Sequence, residues 1–462
     1  MTGRCLAVAA CWLAIGAAPA TAQTETLTAP TFGRVTIYAP ASAPAAVVLF
    51  LSGDAGWTQD VTAMAERLRD RGALVVGIDI RSFLRGLEAF DSCAYPAGDL
   101  EELSRNVQLH RKMPVYKRPL LVGYSSGATL VYAALASAPA ETFAGAISLG
   151  FCPNINIRTP LCEMRGLKTR RRTDGRGYDV LPFEGLKVPW MVLQGEADQV
   201  CTPAATRAFV AATGSARMFS LPGVGRSFGV PRNWESQLLD AFRLAAASAP
   251  REEDRGSIPE VGDLPLTEVA AVAGSTGGRM AVIVSGDGGW AELDKGVAAA
   301  LAAQGVPTVG WSTLRYFWTP RTPDQAAADL ARIVTHYSRA WGRPRVVLIG
   351  YSFGADVLPF LVNRLPRELE SRIDRVALLG LSPTATFEFH MAEWFGMRAR
   401  TPYQTVPEVE RLSQPVICVR GTGEDDSACP SLHGPHIRME TIGEGHHFGN
   451  DYRRIVEAIL RD

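Results

Sequence analysis

Along this 462-residue chain, short apolar runs rich in β-branched residues alternate with longer stretches whose apolar positions recur every three or four residues. Runs of the first kind predict strands buried on both faces, and the longer stretches predict helices that cover them. In the C-terminal half the pattern predicts strands at Arg279–Ser285, Val306–Trp311, Arg345–Gly350, Val376–Gly380, Val416–Arg420 and Ile437–Thr441. It predicts helices at Leu293–Gln304, Pro323–Trp341, Phe353–Leu365 and Asp451–Leu460. Alternation of β and α at this spacing implies an α/β fold with a mostly parallel sheet flanked by helices. In such sheets ligands gather at the carboxyl ends of the strands.

The same pattern is written twice. Leu51 to Trp57 (LSGDAGW) returns as Val284 to Trp290 (VSGDGGW), and Gly123-Tyr124-Ser125-Ser126-Gly127 returns as Gly350-Tyr351-Ser352-Phe353-Gly354. Leu149 to Pro153 returns as Leu379 to Pro383, and Asp198 to Cys201 returns as Asp426 to Cys429. Four motifs in one order, all at offsets of 227 to 233 residues, imply a tandem duplication. The boundaries read as a signal segment at 1–22, a first domain at 23–247, a linker at 248–262 and a second domain at 263–462. The linker mixes Ala, Ser and Pro with the charge run Arg251 to Arg255.

The N-terminus bears on compartment. Arg4, the apolar run Cys5 to Ala18 and the small residues Ala20-Thr21-Ala22 have the form of a cleaved secretory signal. Export to the periplasm is therefore expected, where cysteines oxidise. Beyond that segment stand Cys93, Cys152, Cys162, Cys201, Cys418 and Cys429, an even number, and Cys418–Cys429 is the foremost expected disulfide. Lysine plus arginine and aspartate plus glutamate are equal at 47 each, so the overall charge offers no nucleic-acid footprint.

The chemistry gathers at Gly350 to Gly354. A serine between two glycines, where a strand hands over to a helix, is the G-x-S-x-G nucleophile elbow of α/β-hydrolases, which makes both copies α/β-hydrolase-like. That turn raises the Ser352 hydroxyl clear of the sheet and places the Phe353 N–H at a helix start, suited to a developing oxyanion. Hydrolases of this fold follow the serine with an acid and then a histidine. The second domain supplies both: an acid loop Glu424-Asp425-Asp426, and a histidine loop Gly443 to Gly449 holding His446 and His447. The repeat aligns Asp426 with Asp198, so Asp426 is expected to orient the base, with Glu424 and Asp425 in reserve. His446 is expected as the base, with His447 second. The other oxyanion donor is expected in the Ser285 to Trp290 loop, from the N–H of Asp287 or Gly288. Carboxylates beside an oxyanion hole oppose the charge that develops there, so Asp287 and Asp356 become candidates to receive a substrate ammonium. No cofactor is called for, and without a helical His-Glu-x-x-His frame His433, His436, His446 and His447 do not argue for a metal.

The first domain keeps Ser125 and Asp198, but Arg226 stands where His446 stands in the second. A guanidinium stays protonated and cannot act as a base at neutral pH, so this domain is expected to be degenerate, a binding or structural partner. Its insert from Arg158 to Arg176 carries seven basic side chains against Glu163 and Asp174, a patch able to face anionic lipid.

The Ser285 to Trp290 motif, the elbow extended through Phe360, and His446-His447-Phe448-Gly449 with Asp451-Tyr452 resemble the VirJ/AcvB family of periplasmic, α/β-hydrolase-like bacterial virulence proteins. The resemblance spans essentially the mature chain, including the degenerate first copy. It implies a serine ester hydrolase that removes the lysyl or alanyl group from aminoacyl-phosphatidylglycerol, with Ser352 as nucleophile, Asp426 as acid and His446 as base. It also implies a peripheral place at the anionic membrane surface. A contrasting expectation from the same resemblance is a non-catalytic envelope factor that assists a virulence or type IV secretion system through a protein partner.

Overall fold

A computed structural model of the protein describes residues 23–89, 93–139, 142–247, 260–272, 278–388 and 403–461. The expected signal segment and most of the expected linker lie outside them. Two sheets built on one plan carry the chain. The strands are β1 Gln23–Ala29, β2 Gly33–Ala39, β3 Ala46–Leu51, β4 Ala73–Ile78, β5 Leu120–Tyr124, β6 Gly145–Leu149, β7 Asn154–Ile155, β8 Thr169–Arg171, β9 Tyr178–Val180, β10 Trp190–Gly195 and β11 Ala216–Leu221, then β12 Leu266–Val269, β13 Arg279–Val284, β14 Thr308–Trp311, β15 Arg345–Tyr351, β16 Ile373–Leu379, β17 Thr384–Ala385, β18 Tyr403–Gln404, β19 Val416–Thr422 and β20 Ile437–Glu444. The helices are α1 Gln59–Arg69, α2 Ile80–Leu87, α3 Pro96–His110, α4 Ser126–Ser137, α5 Pro203–Ala211 and α6 Glu235–Ala247 in the first half, and α7 Glu292–Ala303, α8 Thr313–Tyr316, α9 Pro323–Ala340, α10 Phe353–Val362, α11 Arg367–Glu370, α12 Val406–Glu410 and α13 Tyr452–Leu460 in the second.

In the first sheet the order is β1-β2-β4-β3-β5-β6-β10-β11, and in the second β12-β14-β13-β15-β16-β19-β20. Six strands of each match one for one and run parallel, in the orders β4-β3-β5-β6-β10-β11 and β14-β13-β15-β16-β19-β20. Antiparallel strands extend one edge of each sheet, β2 beside β4 and β12 beside β14. β1 pairs outside β2, also antiparallel, and neither β2 nor β12 was expected. The core strands are apolar on both faces because helices cover both, which gives two cores per sheet, one on each side. Val261 is buried in the second domain's core, so the end of the expected linker packs as part of that domain.

Disulfides tie Cys418 to Cys429, as expected, and also Cys93 to Cys162 and Cys152 to Cys201. The basic insert folds around the small sheet β7-β9-β8. Its cations are largely answered by acids: Arg158 by Glu88, Lys168 by Glu163, Arg170 by Asp179 and Arg172 by Asp174. Arg165 instead crosses to Glu292 at the start of α7 in the second domain, at 3.2 Å. The insert is thus partly an interdomain strut. Among the described residues no helix is long and apolar enough to cross a membrane.

Candidate active site

Ser352 links β15 to α10 with φ 51° and ψ −119°, a conformation that costs an L-residue about 1–3 kcal/mol and persists only where packing enforces it. The flanking glycines are what allow it. A Cβ on Gly350 would overlap the Gly354 carbonyl, and one on Gly354 would overlap that of Val284 in the neighbouring strand β13. The helix start therefore lies tight against the sheet, with Ser352 at the crest and the Phe353 N–H opening α10.

The base arrives from the loop after β20. His446 Nδ1–H donates to Glu424 Oε1, and the Gly421 N–H holds the other oxygen, Oε2, at 2.9 Å. The Glu424 side chain is only 6% exposed, so little water competes for it. The hydrogen bond to Glu424 raises His446 above the ordinary imidazole value despite its partial burial. Burial pushes the Glu424 carboxyl up, but its bonds to His446 and Gly421 more than reverse that. With Nδ1 occupied, Nε2 is the free basic nitrogen. The imidazole lies on Gly380, the residue after β16, whose φ of +68° and missing side chain make the space: a Cβ there would stand 2.6 Å from Cε1. Since the Ser352 N–H donates to Leu379 O at 2.8 Å, Ser352 and His446 are both placed at the end of β16. The ring of Tyr351, the residue before Ser352, lies 5.3 Å from that of His446. His447 takes no acid; its Nδ1 meets the Tyr351 hydroxyl at 3.2 Å, and burial lowers its pKa.

Glu424, rather than Asp426, is thus the acid on the base. Asp425 and Asp426 are exposed on the same loop. The sequence alignment of the repeat ran back from the paired cysteines Cys201 and Cys429. Two additional residues separate acid from cysteine in the second copy, so the true counterpart of Asp198 is Glu424. The strand-end glycines Gly195 and Gly421, each three residues before its acid and each packed on a carbonyl of the following loop, carry that alignment.

The Ser285 to Trp290 motif explains itself residue by residue. Ser285 Oγ accepts from the Thr313 N–H at 3.0 Å and so joins two strand-end loops. Gly286 lets the loop approach the elbow, since a Cβ there would press on the Tyr351 ring at 3.0 Å. Gly289 turns at φ +77°, and Trp290 lays its indole on Gly310 of β14. The Gly286 carbonyl accepts from the Gly289 N–H at 3.0 Å and from the Thr313 hydroxyl. A trans peptide points its N–H opposite to its C=O, so the Asp287 N–H is turned away from that network. The Gly288 N–H is drawn to the Asp287 carboxylate instead, which leaves Asp287 as the better oxyanion donor of the two, with Phe353.

Both carboxylates nominated for a substrate ammonium already hold a partner, although the Asp287 side chain is half-exposed. Asp287 Oδ2 is 2.7 Å from Arg105 Nη1 of helix α3 in the first domain. Crowding by protein raises the Asp287 carboxyl, and the guanidinium more than offsets this, leaving it below its ordinary value. Asp356 is buried and accepts from the Ser382 N–H at 2.7 Å, and burial pushes its carboxyl up to about 7. Its place is structural, tying α10 to the loop after β16.

In the first domain the same crest holds different chemistry. Ser125 repeats the elbow at φ 56° and ψ −118°. Arg226 occupies the base position: Nη2 donates to Ser125 Oγ at 2.9 Å and Nη1 lies 3.5 Å from Asp198 Oδ2. A guanidinium bridges Ser125 and Asp198, and it stands where an imidazole would be needed to take the serine proton. Among the described residues no group of His, Cys, Asp and Glu could hold a metal ion.

A family model described as bacterial virulence protein (VirJ) matches residues 45–149 and 278–462, more than half of the chain. No curated protein matches the sequence. Solved structures similar to it include a lidless α/β serine hydrolase from Xanthomonas campestris, 22% identical over 50% of this chain and 94% of its own, with a TM-score of 0.32. Another is an α/β serine hydrolase homologue from Coxiella burnetii, 18% identical over 49% and 97%, with a TM-score of 0.32. Thermogutta terrifontis esterase 2 is 16% identical over 52% and 100%, with a TM-score of 0.34.

Proposed function

This chain belongs to the VirJ family of bacterial virulence proteins, and from that membership and the geometry at Ser352 we propose that it is a periplasmic serine ester hydrolase acting on aminoacyl-phosphatidylglycerol. The observation that carries the reading is the strained Ser352 elbow with His446 beside it, its Nδ1 held by the buried Glu424. His446 Nε2 takes the Ser352 proton as Oγ attacks the aminoacyl carbonyl, and the N–H groups of Phe353 and Asp287 receive the oxyanion. Collapse expels the glycerol oxygen of the lipid, which takes the proton from His446. Water, activated by the same imidazole, then frees the amino acid.

The substrate class rests on the family resemblance and on charge. Glu424 is committed to His446 and Asp287 to Arg105, so the negative charge left for a cationic aminoacyl group is that of Asp425 and Asp426, exposed on the acid loop. Peripheral placement at the anionic membrane surface follows from the substrate. A second reading, a non-catalytic envelope factor for a secretion system, draws support from the first domain, where Arg226 has ended catalysis while the fold is kept.

Hydrolysis of lysyl- and alanyl-phosphatidylglycerol in mixed vesicles tests the proposal. Wild type and Ser125→Ala are expected to release the amino acid and Ser352→Ala is not. If no variant cleaves either lipid or a simple acyl ester, the binding reading replaces the enzymatic one.

A further inference from the structure

Helix α3 of the first domain runs alongside the oxyanion loop of the second. Arg105 on that helix, with a side chain 17% exposed, donates from Nη1 to Asp287 Oδ2 at 2.7 Å and to the Asp287 carbonyl at 3.1 Å. One turn earlier, Glu101 lies beside Gly288, 3.9 Å from where a Cβ would sit. Two further contacts seat the same region: the Trp318 indole N–H donates to Met113 O at 2.8 Å, and its ring lies 5.2 Å from Tyr116. The domain that lacks a base therefore grips the loop next to the nucleophile of the domain that has one.

The duplication supplies its own comparison. Asp54 is the first-domain counterpart of Asp287, and among the described residues it pairs with no arginine from another domain. Its carboxylate turns in on its own elbow, with Oδ2 accepting from the Ser125 hydroxyl at 3.3 Å and Oδ1 accepting from the Ser126 hydroxyl. Ser126 is the counterpart of Phe353. An aspartate at this loop position can thus reach the serine hydroxyl, drawn in the first domain also by the Ser126 hydroxyl that Phe353 lacks.

Resting on the serine-hydrolase reading above, we propose that Arg105 is a positioning residue for the Ser352 site: by binding the Asp287 side chain and main-chain carbonyl it keeps that carboxylate off the nucleophile and the oxyanion position. The physical argument has two parts. A carboxylate near an oxyanion opposes the charge that the transition state develops, and a paired guanidinium cancels that opposition. Arg105 also fixes the carbonyl of the peptide that joins Asp287 to Gly288, and planarity passes the restraint to the Gly288 N–H. The degenerate first domain is then part of the active site of the second, supplied in cis by the duplication.

The test uses the full mature chain and a fluorophosphonate probe, which phosphonylates an activated serine with loss of fluoride and needs no knowledge of the natural ester. The second-order labelling rate at Ser352 is measured, with the site read by mass spectrometry, for wild type, Arg105→Met, Asp287→Asn, the double variant and Trp318→Phe. Arg105→Met is expected to label roughly 10- to 100-fold more slowly than wild type. Adding Asp287→Asn removes the charge that Arg105 restrains, so the double variant returns to within about twofold of Asp287→Asn alone. Trp318→Phe, which removes a different interdomain hydrogen bond, stays within about twofold of wild type. The inference is overturned if Arg105→Met labels like wild type, if the double variant stays as slow as Arg105→Met, or if Trp318→Phe falls as far. A wild type that does not label at all removes the serine-hydrolase reading itself, and this inference with it.

Discussion

Glu424→Gln separates the acid assigned by the geometry from its neighbours on the same loop. The substitution keeps volume and removes one charge from a side chain that is 6% exposed, facing an imidazole that is 40% exposed. Opposite charges about 4 Å apart at an effective dielectric near 20 attract by about 4 kcal/mol. Water around the half-open imidazole reduces this to ~3 kcal/mol of lost support for the imidazolium, a loss on the order of 10²-fold in rate. A glutamine can also present its NH₂ to Nδ1 and select the tautomer that carries its proton on Nε2, which extends the range to about 10⁴-fold. Asp426→Asn, on an exposed residue, should change the rate by less than about threefold. The assay is kcat on an ester that the wild type cleaves, followed against pH. His446 must be neutral to act as base, so activity rises as it loses its proton. With its pKa raised by Glu424, the acid limb should centre above 6.5 in wild type and move to lower pH in Glu424→Gln. If Glu424→Gln keeps more than a tenth of wild-type kcat, or if Asp426→Asn loses as much, the acid has been misassigned.

Gly380→Ala places a methyl 2.6 Å from His446 Cε1 at a residue with φ +68°. Strain of about 1–2 kcal/mol should lower Tm by a few degrees, while displacement of the imidazole lowers kcat by roughly 10²-fold. A Tm loss without the kcat loss would mean that the base does not depend on that glycine. Replacing both Cys418 and Cys429 by alanine opens a loop of sequence separation 11 that carries Glu424. The chain-entropy estimate is about 3 kcal/mol, read as a lower denaturant midpoint, and an unchanged midpoint would show that the disulfide adds nothing to the stability of this loop.

Much of the fold was legible because its strands are buried on both faces and read as continuous apolar runs, while its helices show their period plainly. The antiparallel edge strand β12 was missed because it is four residues long with none buried, so its pattern carries little signal, and β2, seven residues long between β1 and β4, precedes the first repeated motif. The elbow was legible for a steric reason, since both glycines are excluded from carrying side chains by neighbouring carbonyls. The acid was misplaced by two residues because the alignment followed the cysteines, whereas orientation of the base depends on the distance from the strand end. Arg105 could not be found by motif at all. It lies in a different domain from the serine it serves, and only the docking of α3 brings the two together.

The two copies show how one scaffold holds opposite outcomes with few changes. Both keep the elbow, the Ser-Gly-Asp loop, its glycine turn and its tryptophan anchor. What differs is where two charges rest. In the first domain Arg226 lies across Ser125 and Asp198, and Asp54 accepts from the serine hydroxyl. There the serine is held by a cation that cannot take its proton and by a carboxylate that opposes an oxyanion. In the second domain an imidazole replaces the guanidinium, and the guanidinium of Arg105 reaches the loop from outside to hold the carboxylate. On the proposed reading the second copy therefore gains something from the first beyond stability. Loss of the first domain would expose α7, the Trp318 indole and an unpaired Asp287 together, so the second domain expressed alone is expected to fold less well and to label more slowly than the full chain. Asp287→Asn should recover part of the labelling rate of that fragment and none of its stability. A fragment that labels as fast as the full chain would show that the silent copy has no hand in the chemistry.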